Sequence, residues 1–240
     1  MTDTTTVPSV VVPPAAGEFR IGRVFGRTFT LLARNFPIYF LVAAVGSVPG
    51  LLFEKSNVAL AALLMLVVGP ITQAIVLHVA FQDMRGQSVS LIEAVRSAVR
   101  RLLPLVGLTI CIGIAIAVGF LLLIVPGLIL ITMLYVAYSV CIVERLGVFA
   151  SMERSSALTK GHRWVIFGTW LLLAIAGAIL GAVVSALVGL TGNTGLVMAG
   201  SLAWSGLASA FGIIFGVGVY HDLRVAKEGI DIRQLAAVFE

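Results

Sequence analysis

The 41 residues from Pro104 to Glu144 carry one charged side chain, and it is the last of them, Glu144. As a single helix rising 1.5 Å per residue they would extend about 61 Å. That is twice the hydrocarbon thickness of a bilayer, roughly 30 Å. The segment therefore reads as two membrane-crossing helices with a turn between them at Val125-Pro126-Gly127. Proline ends one helical pattern and can open the next, and glycine tolerates the backbone angles of a reversal.

The rest of the chain repeats this character. A spanning helix needs about 20 predominantly apolar residues. Six stretches qualify: Phe36 to Phe53, Val58 to Ala80, Leu102 to Ile124, Pro126 to Val143, Trp164 to Leu190 and Leu196 to Tyr220. None alternates with period two, as the strands of a membrane barrel do. Composition agrees, with 60% apolar and 11% charged residues and a mean hydropathy of +1.10, against about 45–50% apolar and about 25% charged in soluble domains. This balance excludes a soluble enzyme. Only two cysteines occur, Cys111 and Cys141, both inside apolar runs, so a disulfide scaffold is excluded as well.

The expected fold is all-α: a polytopic integral membrane protein of six transmembrane helices in three hairpins, each preceded by a cytoplasmic amphipathic interfacial helix. Residues 1–17, rich in Thr, Val and Pro without a basic start or a continuous apolar stretch, read as a disordered N-terminal tail and not as a signal peptide. Residues 18–223 form the membrane domain and 224–240 a cytoplasmic C-terminal tail. Of the 16 Lys and Arg residues, all but Lys55 fall on one face of this topology. The positive-inside rule makes that face cytoplasmic and places both termini inside. Outer turns then lie at Glu54-Lys55-Ser56-Asn57, Pro126-Gly127 and Thr191-Gly192-Asn193-Thr194. The net charge of +5 is a membrane-face charge and gives no support to nucleic-acid binding.

Three cytoplasmic segments are amphipathic. In Glu18 to Asn35 the arginines 20, 23, 27 and 34 share a sector apart from Ile21, Phe25, Phe29 and Leu32. Ser90 to Arg101 sets Leu91, Ile92, Val95 and Val99 against Glu93, Arg96 and Arg100, and Gly147 to Gly161 is a weaker version. Such helices lie in the interface, where they either anchor the topology or recognise anionic lipid head groups. Side by side, the pieces suggest three copies of one unit. A shift of 67 superposes Arg34 and Pro37 on Arg101 and Pro104, and a shift of 61 takes Asp83 and Gly86 to Glu144 and Gly147. Each even-numbered span ends in a carboxylate (Asp83, Glu144, Asp222), and each odd-numbered one follows a cation (Arg34, Arg101, Arg163). With Arg154 and Arg224 these form a candidate structural rim of ion pairs, the alternative being independent solvated charges.

Inside the spans no Asp, Glu, Lys or Arg lies deep, which weakens ion-coupled or proton-coupled transport. Tyr135, Tyr138 and Ser139 share a face of the fourth span and, with Gln73, are candidates to line a cavity; the alternative is hydrogen bonding between helices. Gly177, Gly181, Ser185 and Gly189, and likewise Ala208, Gly212 and Gly216, recur every fourth residue. Such rows allow close helix packing, either within the bundle or between copies. No metal-binding, phosphate-cradling or nucleophile-elbow motif occurs, and neither a catalytic residue nor a cofactor is expected.

The run from Val125-Pro126-Gly127 through Tyr138-Ser139-Val140-Cys141-Ile142-Val143-Glu144 to Arg154-Ser155 and Lys160-Gly161-His162-Arg163-Trp164 resembles the membrane-domain family named after glycerophosphoryl diester phosphodiesterase. The closing Tyr220-His221-Asp222-Leu223-Arg224, continuing to Glu228-Gly229, is similar to that family's exit from its last span. The resemblance covers roughly residues 120 to 231. It implies a stand-alone membrane domain without the soluble phosphodiesterase and its metal ligands, and a bacterial plasma (inner) membrane location. The positions it marks are Pro126, Gly127, Glu144, Arg154, Ser155, Gly161, Asp222 and Arg224. Two functions follow as expectations. One is a non-catalytic accessory or scaffold for lipid or envelope processes, acting through a basic cytoplasmic face on membrane lipids, as a homo-oligomer or with a membrane-protein partner. The other is a transporter of a small uncharged, zwitterionic or amphiphilic solute. A polar cavity at mid-membrane depth separates the second from the first.

Overall fold

A computed structural model describes residues 19–53 and 57–228, so the expectations for the N-terminal tail, for residues 54–56 of the first outer turn and for residues 229–240 lie outside the described residues. Among the described residues every regular element is a helix. Six spans are long and apolar enough to cross a membrane. They are α2 (Phe36–Phe53), α3 (Val58–Met84), α5 (Leu102–Leu122), α6 with α7 (Ile124–Met133 and Ala137–Val143), α9 (Arg163–Gly189) and α10 (Thr194–Glu228). Three shorter helices precede α2, α5 and α9 in turn: α1 (Ile21–Arg34), α4 (Leu91–Arg100) and α8 (Val148–Thr159). The protein is an all-α polytopic membrane protein.

Local chemistry explains the ends. Asn57 accepts from the Leu60 amide at 3.0 Å and starts α3, and Ser90 accepts from the Glu93 amide at 3.4 Å and starts α4; both satisfy amides that a helix start leaves orphaned. The reversal between α5 and α6 is made by one extended residue, Leu123, at φ −166° and ψ 155°. Pro126 and Gly127 thus lie in the first turn of α6, where a proline costs no intrahelical hydrogen bond. Gly127 serves close approach. A Cβ there would stand 2.6 Å from the Phe120 ring, and one on Gly119 would stand 3.0 Å from the Gly127 Cα.

The last helix is the centre of the bundle. α10 packs against α1, α2, α3, α7, α8 and α9, and α2 packs on α3 as α5 does on α6. Glycines set the crossings: Gly206 of α10 meets Ala44 of α2, Gly218 meets Val24 of α1, and Gly46 of α2 meets Thr72 of α3. In α9 only Ile166 and Thr169 are buried, so this span stands at the edge, held on α10 by Gly181 against Trp204 and by Val188 against Gly200. Gly177 and Gly189 of the same row face open space. α10 also runs on to Glu228, taking residues 224–228 into the helix where the sequence reads as the start of a tail.

The fourth span differs from a continuous helix. It breaks at Leu134–Val136, between α6 and α7, without proline or glycine. The break frees the Met133 carbonyl, and α8 supplies the donor: Ser155 Oγ donates to it at 2.8 Å, while the single Thr159 hydroxyl proton goes to the Ser155 carbonyl of its own helix at 3.0 Å, with the Met133 carbonyl farther off at 3.4 Å. Ser151, Ser155 and Thr159 are all fully buried. Irregular backbone buried in protein within a membrane bundle is tolerated where other groups re-satisfy it in this way.

Candidate functional site

The broken span borders an open cavity of about 400 Å³ lined by α2, α3, α5, α7 and α10. Gln73, Tyr135, Tyr138 and Ser139, the four candidates from the sequence, all line it. Ser47, Thr72, Thr109 and Ser209 join them, making eight polar side chains and no charged one among the lining residues. Gln73 lies ten residues before Asp83 on α3, which is about 15 Å along the helix and so near the middle of a roughly 30 Å hydrocarbon slab. Ser47 lies eleven residues after Phe36 and Ser209 thirteen before Asp222, about 16 and 20 Å along their helices.

Three features hold the space open. Gly69, Gly212 and Gly216 contribute no side chains to it, and a Cβ on any of them would meet nothing within 4 Å. In α10 the row Ala208, Gly212, Gly216 therefore faces the cavity with its glycines, not a neighbouring helix. Pro70 sits within α3 against the cavity and removes a hydrogen bond from the helix there. The break at Leu134–Val136 turns Tyr135 and Tyr138 toward the same space. Tyr138 Oη donates to Thr109 Oγ1 at 2.9 Å, and Thr109 Oγ1 donates in turn to the Leu105 carbonyl at 2.8 Å. This chain fixes one wall of the cavity.

The charged end of the bundle carries the rim. Asp83 of α3 meets Arg34 at 3.6 Å, while its Oδ2 is buried without a partner among the described residues. Glu144, at the end of α7, meets Arg154 of α8 at 2.9 Å. Asp222 of α10 accepts from the Arg20 backbone amide at 3.1 Å and pairs with Arg23 at 3.4 Å, which ties the last span to the first interfacial helix. Thus all three span-end carboxylates have a cationic partner on an interfacial helix. The other expected cations do different work. Arg224 pairs with Glu228 one turn on, at 2.9 Å. Arg101 donates to the Cys141 carbonyl at 3.3 Å, and Arg163 to the Ser156 carbonyl and hydroxyl.

The tightest part of the rim centres on Arg154. Its guanidinium also pairs with Glu228, and Tyr220 Oη donates to Glu144 Oε1 at 2.9 Å. Burial opposes the Arg154 charge, but hydrogen bonds and attraction from Glu228 and Glu144 outweigh it and hold its pKa above the ordinary arginine value. Glu228 and Tyr220 belong to the closing run that carries the resemblance but not to the rim expected from the sequence. The spacing of Arg224 and Glu228 at i and i+4 was the available signal for the first, and nothing in the sequence signalled the second. The arrangement is architectural: it locks α7, α8 and α10 together and offers no nucleophile or metal ligand set. No protein-family model matches the chain, and no solved structure matches it.

Proposed function

We propose that the chain is a non-catalytic membrane protein that binds and passes a small uncharged or zwitterionic solute through the polar cavity at the middle of its bundle. The observation that carries this reading is the 400 Å³ space lined by eight polar side chains at mid-span, beside a helix broken without proline or glycine. Ligand cavities run from about 300 to 1,000 Å³, and discontinuous helices are a recurring way of building transport sites. The lining holds no ion-pairing group, so a net-charged solute would lose hydration without a partner. Polar hydroxyl, phenol and amide groups suit a solute that donates and accepts hydrogen bonds.

The accompanying placement is a bacterial plasma membrane with both termini cytoplasmic, supported by the clustering of basic residues at one end of the bundle. Kinship with the stand-alone membrane domains related to glycerophosphoryl diester phosphodiesterase is part of the same proposal. It is supported by the sequence resemblance between Val125 and Trp164 and in the closing run from Tyr220. A second reading, an accessory protein acting on lipids or a protein partner through its basic face, is favoured by the lone edge position of α9.

The test is cysteine accessibility in native membranes, in a background with Cys111 and Cys141 replaced. Gln73→Cys and Tyr135→Cys should label with a water-soluble, membrane-impermeant thiol reagent, and Leu172→Cys on the exposed face of α9 should not. Thr191→Cys should label from outside and Glu153→Cys only from inside. Silence at both Gln73 and Tyr135 would overturn the solute path.

A further inference from the structure

Near the charged end, a second and separate cleft of about 730 Å³ opens between the end of α3, α4, the start of α5 and the end of α7. Five arginines line it, Arg85, Arg96, Arg100, Arg101 and Arg145, against one carboxylate, Glu93. Elsewhere at this end Arg23, Arg34, Arg154 and Arg224 meet carboxylates. Inside the cleft the pattern reverses. The side chains of Arg85, Arg96, Arg100 and Arg145 have no hydrogen-bond or salt-bridge partner among the described residues. Glu93, whose carboxylate accepts from the Gln82 amide nitrogen at 3.3 Å, offsets only one of the five positive charges.

Arg145 adds an independent sign. It is the residue just past the end of α7 and takes φ +56°, the one non-glycine residue with positive φ among the described residues. Gly86 and Gly161 hold the same position after α3 and α8, at φ +70° and +90°. Glycine is the usual residue there because it has no Cβ penalty. An arginine in its place carries backbone strain, and strain of this kind concentrates at functional sites. What the strained residue provides is a fifth guanidinium for the cleft.

The level of the cleft is set by α4, which divides its surface three ways. Ala94 and Ala98 are buried against the bundle, Glu93, Arg96 and Arg100 turn to the cleft, and Ile92, Val95 and Val99 stay 74%, 44% and 56% exposed. An exposed apolar face on a helix with a basic face belongs in the lipid interface. The arginines therefore stand at head-group depth, where mutual repulsion calls for a counter-anion and guanidinium pairs suit phosphate oxygens.

We propose that this cleft is a binding site for a phosphate-bearing anion, with Arg96, Arg100 and Arg145 as its main donors. The site is distinct from the mid-membrane cavity and does not depend on it. The purified full chain in phosphatidylcholine nanodiscs should gain thermal stability when phosphatidylglycerol is included, when inorganic phosphate is added, or both. A response to phosphatidylglycerol alone assigns the anion to a lipid head group, and a response to inorganic phosphate assigns it to a soluble source. The triple variant Arg96→Gln/Arg100→Gln/Arg145→Gly should require at least tenfold more of the responding anion for the same shift, whereas Lys160→Gln, outside the cleft, should not. Arg145→Gly alone keeps the fold testable: it should unfold no lower than wild type without anion, yet respond less to it. No shift with either anion, or an undiminished shift in the triple variant, would overturn the site.

Discussion

Ser155 Oγ, on the interfacial helix α8, donates to the Met133 carbonyl at the break in the fourth span across 2.8 Å. One hydroxyl therefore links a helix outside the spans to the point where a span is interrupted, beside the polar cavity. Without that donor the break would expose a carbonyl in an apolar setting, where unpaired polar groups are costly.

Removing the donors should destabilise the fold. Ser155→Ala should cost about 1 kcal/mol, and Ser155→Ala with Thr159→Val about 1–3 kcal/mol, because the second change also removes the alternative donor at 3.4 Å. Thermal unfolding in detergent reads this directly. Thr30→Ala, which deletes an exposed hydroxyl bonded within its own helix, should stay within about 0.5 kcal/mol of wild type.

Glycines of the same type should differ by what they face. Gly127→Ala puts a methyl group 2.6 Å from the Phe120 ring and should cost about 1–3 kcal/mol by overpacking. Gly177→Ala meets nothing within 4 Å and should be neutral or gain up to about 1 kcal/mol in helix propensity. A loss at Gly177 would mean that another chain occupies that face of α9, and size-exclusion chromatography with light scattering would detect it.

Arg154 holds two carboxylates, so its loss should exceed theirs. Arg154→Gln leaves Glu144 without its cation and Glu228 with Arg224 alone, and should cost roughly 1.5–3 kcal/mol at pH 7, the range for hydrogen bonds to charged groups. Glu144→Gln or Glu228→Gln should cost less. The sign with pH follows from linkage. The Arg154 pKa is raised in the folded state, so its contribution is fully present below the ordinary arginine pKa and is lost only at strongly alkaline pH. Burial works against the Glu228 charge, but hydrogen bonds and attraction from Arg224 and Arg154 outweigh it and hold its pKa below the ordinary glutamate value. Its share of the contribution is present above that ordinary value and is lost as pH falls through the lowered one, so the gap between wild type and Arg154→Gln should narrow on acidification. A gap unchanged at acid pH would show that the guanidinium acts through packing alone.

Filling the cavity should separate solute access from folding. Gly212→Leu projects into the space that Gly212 leaves open, so the variant should fold with an unchanged or higher Tm. A cysteine at Gln73 in the same chain should then lose its labelling by the water-soluble reagent. Retained labelling would place the water path elsewhere.

The membrane character, the number of spans and the three short helices that precede α2, α5 and α9 were legible because lipid imposes the apolar and polar pattern locally. Every stretch of about 20 apolar residues must cross or be buried, whatever its neighbours do. The carboxylate and cation at each span end were legible for a similar reason, since charge can reside only at the boundary. Their partners were not, because pairing depends on which helices touch: Asp222 reaches back to Arg23, and Arg224 turns to Glu228. The break at Leu134–Val136 carries no proline or glycine, and it persists because Ser155 arrives from α8 to donate to the freed Met133 carbonyl. The cavity and the arginine cleft arise the same way, from residues far apart in sequence whose side chains either leave space or share it. In this protein the sequence alone determined where the chain meets lipid, because that is a property of single segments. Only the tertiary structure decided which polar groups are satisfied, which stay unpaired and where the open space lies, because each of those is a property of several helices at once.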